Sequence, residues 1–251
     1  MVTLAGKNVV VVGASRGVGR AIVRKMAAEG AQILAVGRNP ESLDQLAKEV
    51  SGTKTLAIEA AGHAAPSRVF AALLPDVVIL CAGARPPGRP IHELTWDQFS
   101  VNWDTDVRMS FSFCREALRA PLAPGSTVIL ISSGAALGGS PISGGYAGAK
   151  RTQMFIANYA QKESDRLNLG VRFLALAPAR IMPETELGQF AVQCYARYLG
   201  ISPAEFIKGM SSRQTPEDVA NATAELANNG SAYRGSVFTI SGDGIAPAFE
   251  T

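Results

Sequence analysis

Short apolar runs alternate along the chain with longer segments in which apolar residues recur at helical spacing. The run at 9–12 is typical of a buried strand, and residues 17–29 are predicted to form a helix after it. Further on, Asn39 is predicted to cap a helix that begins at Pro40 and has its apolar residues along one stripe. Because strands and helices alternate, the pattern predicts an α/β fold with a doubly wound parallel sheet. The predicted strands, about seven in number, are 9–12, 33–36, 56–58, 77–80, 128–131, 171–176 and 237–240.

The size and composition of the chain favour one globular unit. A chain of 251 residues, 47% of them hydrophobic, can bury an extensive core, and no linker or repeat divides it. We therefore expect a single domain over residues 1–251. The formal net charge is only +3 and the basic residues are scattered, which argues against nucleic acid or a membrane surface as a partner.

Other sequence features bear on the compartment and on metals. No apolar run approaches the ~18 residues of a membrane-spanning helix, and no signal peptide precedes the first strand, so a cytoplasmic location is expected. Cys81, Cys114 and Cys194 form no CxxC pair, which is typical of reduced, mostly buried thiols. Because His63 and His92 are far apart in sequence, no metal site is expected.

Three glycines mark the turn from the first predicted strand into its helix. Gly13, Gly17 and Gly19 occur in the segment GASRGVG with the spacing GxxxGxG. Glycines there let the backbone turn tightly and approach a pyrophosphate, which the free N–H groups of the helix N terminus then bind. A purely structural turn would look similar, but the position between a strand and a helix favours a dinucleotide-binding site.

A tyrosine and a lysine are separated by one helical turn in the segment GGYAGAK. Tyr146 and Lys150 stand at positions i and i+4 and therefore share a helix face. The ammonium group can stabilise the phenolate there, which makes the tyrosine a usable proton donor or acceptor near neutral pH. Such a pair also occurs by chance on solvated helices, so it needs support from the rest of the chain.

With these motifs the chain resembles the classical short-chain dehydrogenase/reductase family. The resemblance runs from about residue 4 to residue 244 and implies a Rossmann-type fold, a nicotinamide dinucleotide cofactor and conversion between a carbonyl and a secondary alcohol. Further family segments follow in the family's order: CAG at 81–83, FSVNWD around Asn102, ISSG at 131–134, APARI at 177–181, TPEDVA at 215–220 and SGDG at 241–244.

The resemblance also implies a role for each residue of the expected active site. Tyr146 exchanges a proton with the substrate oxygen, and Ser133, thirteen residues earlier, polarises that oxygen. Ser132 is expected to point the other way, because successive strand side chains alternate. Lys150 also binds the nicotinamide ribose, and the backbone of Asn102 holds a water of the proton relay. The implied cofactor-binding residues are Gly13, Ser15, Arg16, Gly17, Val18, Gly19, Arg38, Asn39, Ala82, Gly83, Tyr146, Lys150, Pro178 and Ile181.

Three positions depart from the family pattern. Cys81 replaces the asparagine of the family's NAG segment, which removes a polar side chain between neighbouring strands. Ala179 replaces the glycine after Pro178, and Pro183 stands where a threonine often contacts the cofactor. Backbone contacts of the CAG segment are expected to remain, whereas the contact of that threonine is not carried over.

The end of the second predicted strand indicates which dinucleotide is preferred. NAD-selective proteins place an acidic residue there, about 20 residues beyond the glycine turn, where it accepts hydrogen bonds from the ribose hydroxyls. This chain has Gly37 and Arg38 instead, with Arg16 in the glycine turn and with Ser15 and Asn39 as neutral donors. Two arginines can bind a 2′-phosphate, so NADP(H) is the expected cofactor. The alternative is that both arginines are ordinary solvated charges.

The resemblance also predicts the substrate lid and the subunit interface. Residues 182–212 correspond to a variable substrate lid, whose apolar residues are spaced as two short amphipathic helices that contact substrate or pack onto the body. Arg180 could bind a carboxylate on the substrate or could anchor the lid to Glu184 or Glu186. The helices around 104–120 and 146–167 are expected to form the interface of a homotetramer or homodimer.

The function expected from these features is that of an NADP(H)-dependent oxidoreductase acting on a small carbonyl or alcohol. The alternative is a dinucleotide-binding sensor or regulatory protein that kept the fold and lost the chemistry. A sensor needs no serine, tyrosine and lysine at family spacing, which favours the enzyme. Still, Ser133 could merely cap a strand end, and Asn102 could be an exposed helix residue. An epimerase or dehydratase of the extended relatives is a third interpretation, against which the short C-terminal part argues.

Overall fold

A central sheet lies between two layers of helices in the computed structural model, which describes residues 4–120, 122–210, 213–229, 236–242 and 244–249. Residues 1–3, 121, 211–212, 230–235, 243 and 250–251 of the expected domain lie outside these ranges. They include two residues of the expected lid, 211 and 212, and residue 243 of the SGDG segment. Among the described residues, no helix is both long and apolar enough to span a membrane. The strands are β1 (Asn8–Val12), β2 (Gln32–Gly37), β3 (Lys54–Ala57), β4 (Val77–Leu80), β5 (Thr127–Ile131), β6 (Arg172–Pro178), β7 (Val237–Ser241) and β8 (Gly244–Pro247).

The helices connect the successive strands from β1 to β7 and cover both faces of the sheet. A 3₁₀ turn at Ile91–Glu93 precedes the fourth helix, and a π-helical turn at Trp103–Val107 follows it. The helices are α1 (Gly17–Ala28), α2 (Pro40–Glu49), α3 (Ala65–Ala72), α4 (Trp96–Asn102), α5 (Arg108–Arg119), α6 (Ala135–Gly138), α7 (Gly144–Arg166), α8 (Glu186–Leu199), α9 (Pro203–Lys208) and α10 (Pro216–Asn229).

The strand order in the described sheet is β3-β2-β1-β4-β5-β6-β7-β8. Neighbouring strands are parallel except β7 and β8, which are antiparallel. The predicted doubly wound α/β fold is therefore confirmed, but the predicted number of about seven strands is wrong, since the described residues form eight. The additional strand, β8, has four residues including a proline and pairs at the sheet edge, so its sequence carries little strand signal.

Each face of the sheet has its own apolar core. Val10 and Val12 of β1 belong to the core beneath α3, α5 and α7, whereas Val9 and Val11 belong to the core beneath α1, α2 and α10. Successive strand residues point to opposite faces, and here both faces are buried. This explains why the strands appear in the sequence as uninterrupted apolar runs.

The local signals for the first two helices act as predicted. α1 begins at Gly17 and ends one residue before the predicted boundary. The Asn39 side chain accepts a hydrogen bond from the Ser42 amide at 2.8 Å, and Pro40 is the first residue of α2. A proline suits that position because its missing N–H would have no partner within the helix.

The strand order reverses between β1 and β4. In open α/β sheets, ligands bind in the crevice at the carboxyl ends of the strands beside such a reversal. The glycine turn follows β1, the CAG segment follows β4, and the ISSG segment ends β5. The fold thus brings the motifs, which are far apart in sequence, to one edge of the sheet.

Candidate active site

The glycine turn after β1 packs closely against the end of β4. Gly13 has φ +89°, and a Cβ atom there would lie 2.4 Å from the Ala82 amide nitrogen. A Cβ atom at Gly19 would lie 2.0 Å from the Gly13 carbonyl oxygen. Any side chain at either position would displace backbone, so both glycines are required by the packing of the turn.

The N terminus of α1 is open towards the crevice. Arg16 is its N-cap residue, and the Arg16 side chain makes no capping hydrogen bond. Gly17 has φ +52°, and a Cβ atom there would have its nearest described neighbours, two Thr185 carbons, at 3.7 Å. Val18 packs against the core below. Uncapped N–H groups at the positive end of a twelve-residue helix suit an anion, so these residues fit the diphosphate of a dinucleotide.

Two exposed ion pairs flank the expected adenosine end of that site. Arg38 Nη1 lies 3.5 Å from Glu59 Oε2. Arg16 pairs with Glu186, which is the first residue of α8. Both arginines predicted to bind a phosphate therefore have a carboxylate as their present partner.

The end of β2 carries no acidic side chain. A Cβ atom at Gly37 would lie 3.5 Å from Leu43 Cδ2 and 3.7 Å from Ser15 Oγ, which are ordinary contacts. The Asn39 side-chain oxygen is occupied as the cap of α2. The backbone at Gly37 could thus carry a larger residue without steric conflict.

Tyr146 and Lys150 lie on the first two turns of α7. Lys150 Nζ is 5.6 Å from the centre of the Tyr146 ring. The lysine is 5% exposed, donates to the Ile131 carbonyl oxygen at 3.1 Å and lies 3.2 Å from Asp106 Oδ2. Burial lowers the pKa of Lys150, but Asp106, Tyr146 and Cys81 outweigh that effect and raise it above its ordinary value.

The two serines after β5 have different environments. Ser132 is buried and donates a hydrogen bond to the Lys150 carbonyl oxygen at 2.8 Å. Ser133 is partly exposed, and its oxygen accepts a hydrogen bond from the Ala135 amide at 3.2 Å. Since that bond uses a lone pair, the Ser133 hydroxyl proton stays free to donate to a substrate oxygen.

Asn102 ends α4, Asp106 lies within the π-helical turn that follows, and both are buried. Asn102 donates to the Ala84 carbonyl oxygen at 2.8 Å, and its Oδ1 has no hydrogen-bond partner among the described residues. Asp106 accepts hydrogen bonds from the Ala84 amide and the Thr105 hydroxyl, each at 2.8 Å, and contacts Lys150. Sequence reasoning missed Asp106. Its position four residues after Asn102 was the available signal, because such residues share a helix face.

The ends of β4 and β6 bring backbone to the same crevice. The amides of Cys81 and Ala82 donate to the carbonyl oxygen of the last β1 residue at 2.8 and 2.9 Å, and Gly83 beyond them is exposed. Burial raises the pKa of the Cys81 thiol to about 11, with a smaller opposing effect of Lys150, so this thiol is neutral near pH 7. The remaining two residues expected to bind the cofactor are Pro178, which ends β6, and Ile181, which is partly buried.

A threonine lies beside the glycine turn although Pro183 occupies the expected position. Thr185 carbons are the nearest neighbours of a Cβ atom at Gly17. The Thr185 hydroxyl accepts from the Gly188 amide and donates to the Met182 carbonyl oxygen, both at 2.9 Å. Thr185 therefore caps α8. Like Asp106, it was not identified by sequence reasoning.

Helices α8 and α9 occupy the region predicted to hold two short helices. The Arg85 guanidinium, in the loop after β4, lies 4.8 Å from the centre of the Phe190 ring of α8. The Tyr195 hydroxyl contacts the Ser140 hydroxyl before α7, and the Tyr195 ring stacks on Phe206 at 5.3 Å. α8 thus contacts loops on two sides of the crevice.

Arg180 takes neither of the two acidic partners that were considered for it. Glu186 pairs with Arg16, and Arg180 is exposed, with no ion pair in the described part of the chain. The Arg180 backbone amide donates to Gln214 Oε1 at 3.2 Å, which fixes the backbone and leaves the guanidinium unpaired among these residues.

The family model described as short chain dehydrogenase matches residues 7–192. The chain belongs to this family. The resemblance inferred from the motifs is thereby confirmed.

Individual relatives differ in how much of the chain they match. L-xylulose reductase of Bos taurus is 27% identical over 129 residues. The match covers 51% of this chain and only 53% of the reductase, so the chain spans about half of that relative's length. The 3beta-hydroxysteroid dehydrogenase of Mediterraneibacter gnavus is 27% identical over 239 residues, which cover 87% of this chain and 84% of that protein. The crystal structure of 3-ketoacyl-(acyl-carrier-protein) reductase from Brucella melitensis complexed with NADH has a TM-score of 0.78 at 19% identity and covers 95% of this chain and 97% of that one. The last comparison confirms the fold.

Proposed function

We propose that the protein is an NADP(H)-dependent oxidoreductase that interconverts a carbonyl and a secondary alcohol. The observation that carries the proposal is the buried Lys150 ammonium, 5.6 Å from the centre of the Tyr146 ring, at the crevice beside the strand-order reversal. A phenol next to a buried cation is suited to proton exchange near neutral pH. The relatives named as reductases and dehydrogenases support this class of reaction.

The residues around the crevice divide between binding and proton transfer. The open N terminus of α1 would hold the cofactor diphosphate, and backbone at Ala82, Gly83, Pro178 and Ile181 would line the rest of its site. When bound, the nicotinamide supplies the hydride chemistry. The protein then has to orient the substrate and supply or remove one proton.

We assign these tasks to Ser133, Tyr146 and Lys150. The Ser133 hydroxyl donates a hydrogen bond to the substrate oxygen, which polarises the carbonyl. The Tyr146 phenol then gives its proton to that oxygen, and Lys150 stabilises the phenolate that remains. In the oxidative direction the same phenolate takes the proton from the alcohol. A general acid of this kind contributes about 10²–10⁴-fold to the rate.

We assign NADP(H) as the preferred cofactor because of the charges at the end of β2. Gly37 places no carboxylate against a 2′-phosphate, and Arg38 and Arg16 are exposed on either side. Their present partners, Glu59 and Glu186, are exposed as well, and exposed ion pairs contribute only about 0–1 kcal/mol. A phosphate carrying nearly two charges can therefore replace them.

We also propose that residues 182–212 form the substrate lid of a single-domain protein. The contacts of Phe190 and Tyr195 with loops on two sides of the crevice support this role for α8. All three cysteines carry free thiols, the form expected in a reducing compartment, and on that basis we propose a cytosolic location.

A screen of ketones, aldehydes and secondary alcohols with NADPH and NADH tests the function. We expect turnover of at least one class and a loss of about 10²-fold or more in kcat for Tyr146→Phe, with NADPH binding retained. Tyr159→Phe, at an exposed tyrosine of the same helix, is the control and should keep full activity. Dinucleotide binding without turnover would instead favour the sensor. Near-normal activity of Tyr146→Phe would contradict the assignment of the general acid.

A further inference from the structure

A buried carboxylate forms an ion pair with the lysine of the proposed active site. Asp106 Oδ2 lies 3.2 Å from Lys150 Nζ, and the two side chains are 0% and 6% exposed. An ion pair removed from water in this way is costly unless both charges are also hydrogen-bonded. Both are, because Lys150 donates to the Ile131 carbonyl oxygen and Asp106 accepts from the Ala84 amide and the Thr105 hydroxyl.

The surrounding backbone is fitted to this carboxylate. Asp106 belongs to the π-helical turn between α4 and α5, where an extra residue in the turn changes which side chains face inward. A Cβ atom at Gly83 would lie 2.7 Å from Asp106 Oδ2, so the segment after β4 leaves room for the carboxylate only because it has a glycine there. Asp104, two residues earlier in the same turn, is exposed and pairs with Arg108.

The charged and titratable groups that face Asp106 are few in the described structure. Lys150 contacts it from α7, and Cys81 interacts with it electrostatically from the end of β4. Tyr146 in turn interacts with the Lys150 ammonium. Asn102 contributes only its neutral amide, 3.5 Å from each carboxylate oxygen. The carboxylate therefore acts on the pair of groups that would hold and transfer the catalytic proton.

We propose that Asp106 is a positioning residue that holds the Lys150 ammonium beside Tyr146 and offsets its charge, which suits the site to carbonyl reduction. Without the carboxylate, the Tyr146 phenolate would become the main anion available to the buried ammonium, and the tyrosine would ionise more readily. Reduction needs the phenol as proton donor, whereas oxidation needs the phenolate. The inference rests on the proposed function for this last consequence only.

The test compares Asp106→Asn with Asp104→Asn, which removes an exposed carboxylate from the same turn and should behave like the unmodified protein. For Asp106→Asn we expect the high-pH limb of reductive kcat/KM to move down by about one pH unit. The phenolate absorbance of Tyr146, obtained by subtracting the Tyr146→Phe background, should move in the same direction. An unchanged or upward midpoint, or an equal shift in Asp104→Asn, would overturn the inference.

The absorbance titration needs no turnover, so it separates this inference from the proposed function. If the phenolate midpoint of Asp106→Asn moves down but the protein turns over no carbonyl or alcohol, the proposed function is wrong. The inferred coupling between the charges of Asp106, Lys150 and Tyr146 then still holds. If Asp106→Asn does not fold, the comparison is made between Lys150→Met and the neutral double variant Lys150→Met/Asp106→Asn. The double variant should form phenolate at the lower pH, and identical titrations would overturn the inference.

Discussion

Arginine side chains at the proposed adenosine site are held by carboxylates that a phosphate could replace. Arg38 and Arg16 are 67% and 63% exposed at the side chain, so water screens their ion pairs with Glu59 and Glu186. The same screening reduces what each arginine adds to phosphate binding. The preference for NADPH should therefore be definite but moderate, about 10–10²-fold in kcat/KM.

Replacing Gly37 and Arg38, at the end of β2, should shift the cofactor preference towards NADH. In Gly37→Asp/Arg38→Ile, the new carboxylate can accept ribose hydroxyl hydrogen bonds and repel a 2′-phosphate. Gly37 tolerates the change, because the atoms nearest to a Cβ atom there are 3.5 Å away or more. Arg68→Ile, at an exposed arginine on α3, serves as control and should leave the ratio unchanged. Equal kcat/KM for NADPH and NADH in the unmodified protein would contradict the assignment.

Helix α7 carries the proposed catalytic pair and depends on close packing against α4. A Cβ atom at Gly145 would lie 2.1 Å from the Phe99 carbonyl oxygen, whereas at Gly148 the nearest atom, in the Trp103 ring, would be 3.5 Å away. The two glycines therefore differ in their packing, although their sequence contexts are alike. Close packing requires a glycine at position 145 and does not require one at position 148.

Gly145→Ala and Gly148→Ala should therefore change stability in opposite directions. We expect Gly145→Ala to lower the free energy of unfolding by about 1–3 kcal/mol, because the methyl group pushes α7 away from α4. Gly148→Ala should raise it by up to about 1 kcal/mol through helix propensity. Denaturant unfolding of both variants measures the difference. Equal destabilisation would show that the contact with Phe99 does not limit this site.

Helices α1 and α2 are joined by a cluster of ion pairs at Glu49. Arg24 and Arg20 both donate to the Glu49 carboxylate, and these hydrogen bonds lower its pKa from 4.5 to about 2. Because the pKa is depressed in the folded state, the stabilisation is complete above about pH 4.5 and disappears as the pH falls towards 2. The pairs are partly exposed, so their contribution is about 1 kcal/mol.

Glu49→Gln should lower Tm at pH 7 and lose this effect in acid. The Tm difference from the unmodified protein is expected to shrink steadily below about pH 4.5 and to vanish near pH 2. Asp44→Asn, on the same helix and without an ion pair among the described residues, is the matched control. A Tm difference that stays constant with pH would mean that the carboxylate charge is not what stabilises this contact.

The whole molecule leaves an apolar surface on the outer sides of α5 and α7. Phe155 and Tyr159 are each 66% exposed and stack on one another with ring centres 5.7 Å apart. Phe111 of α5 is 56% exposed. Large apolar side chains on helices that already cover the sheet need a second partner, which supports the expected homodimer or homotetramer.

Phe155→Arg should weaken self-association if this surface is the interface. Light scattering at micromolar concentration is expected to give two or four times the chain mass for the unmodified protein and a smaller mass for the variant. Leu74→Arg, at a 63% exposed leucine beyond α3, should leave the mass unchanged. A monomeric unmodified protein, or an equal loss in both variants, would contradict the proposed interface.

Features that depend on neighbouring residues could be predicted from the sequence alone. The apolar runs predict the parallel strands because both faces of each strand are buried, and Asn39 with Pro40 predicts the start of α2. The glycine turn and the pair Tyr146 and Lys150 were identified in the same way, since their geometry follows from residues a turn apart.

Only the tertiary structure decided features that join distant segments. β8 becomes a strand because β7 offers it an edge, which its own four residues do not indicate. The pairing of Asp106 with Lys150 depends on a π-helical turn and on contact between segments 44 positions apart. Thr185 reaches Gly17 because the chain folds back over the crevice. Local sequence sets torsion angles and burial patterns, whereas such contacts arise from how whole elements pack, and no short segment encodes that packing.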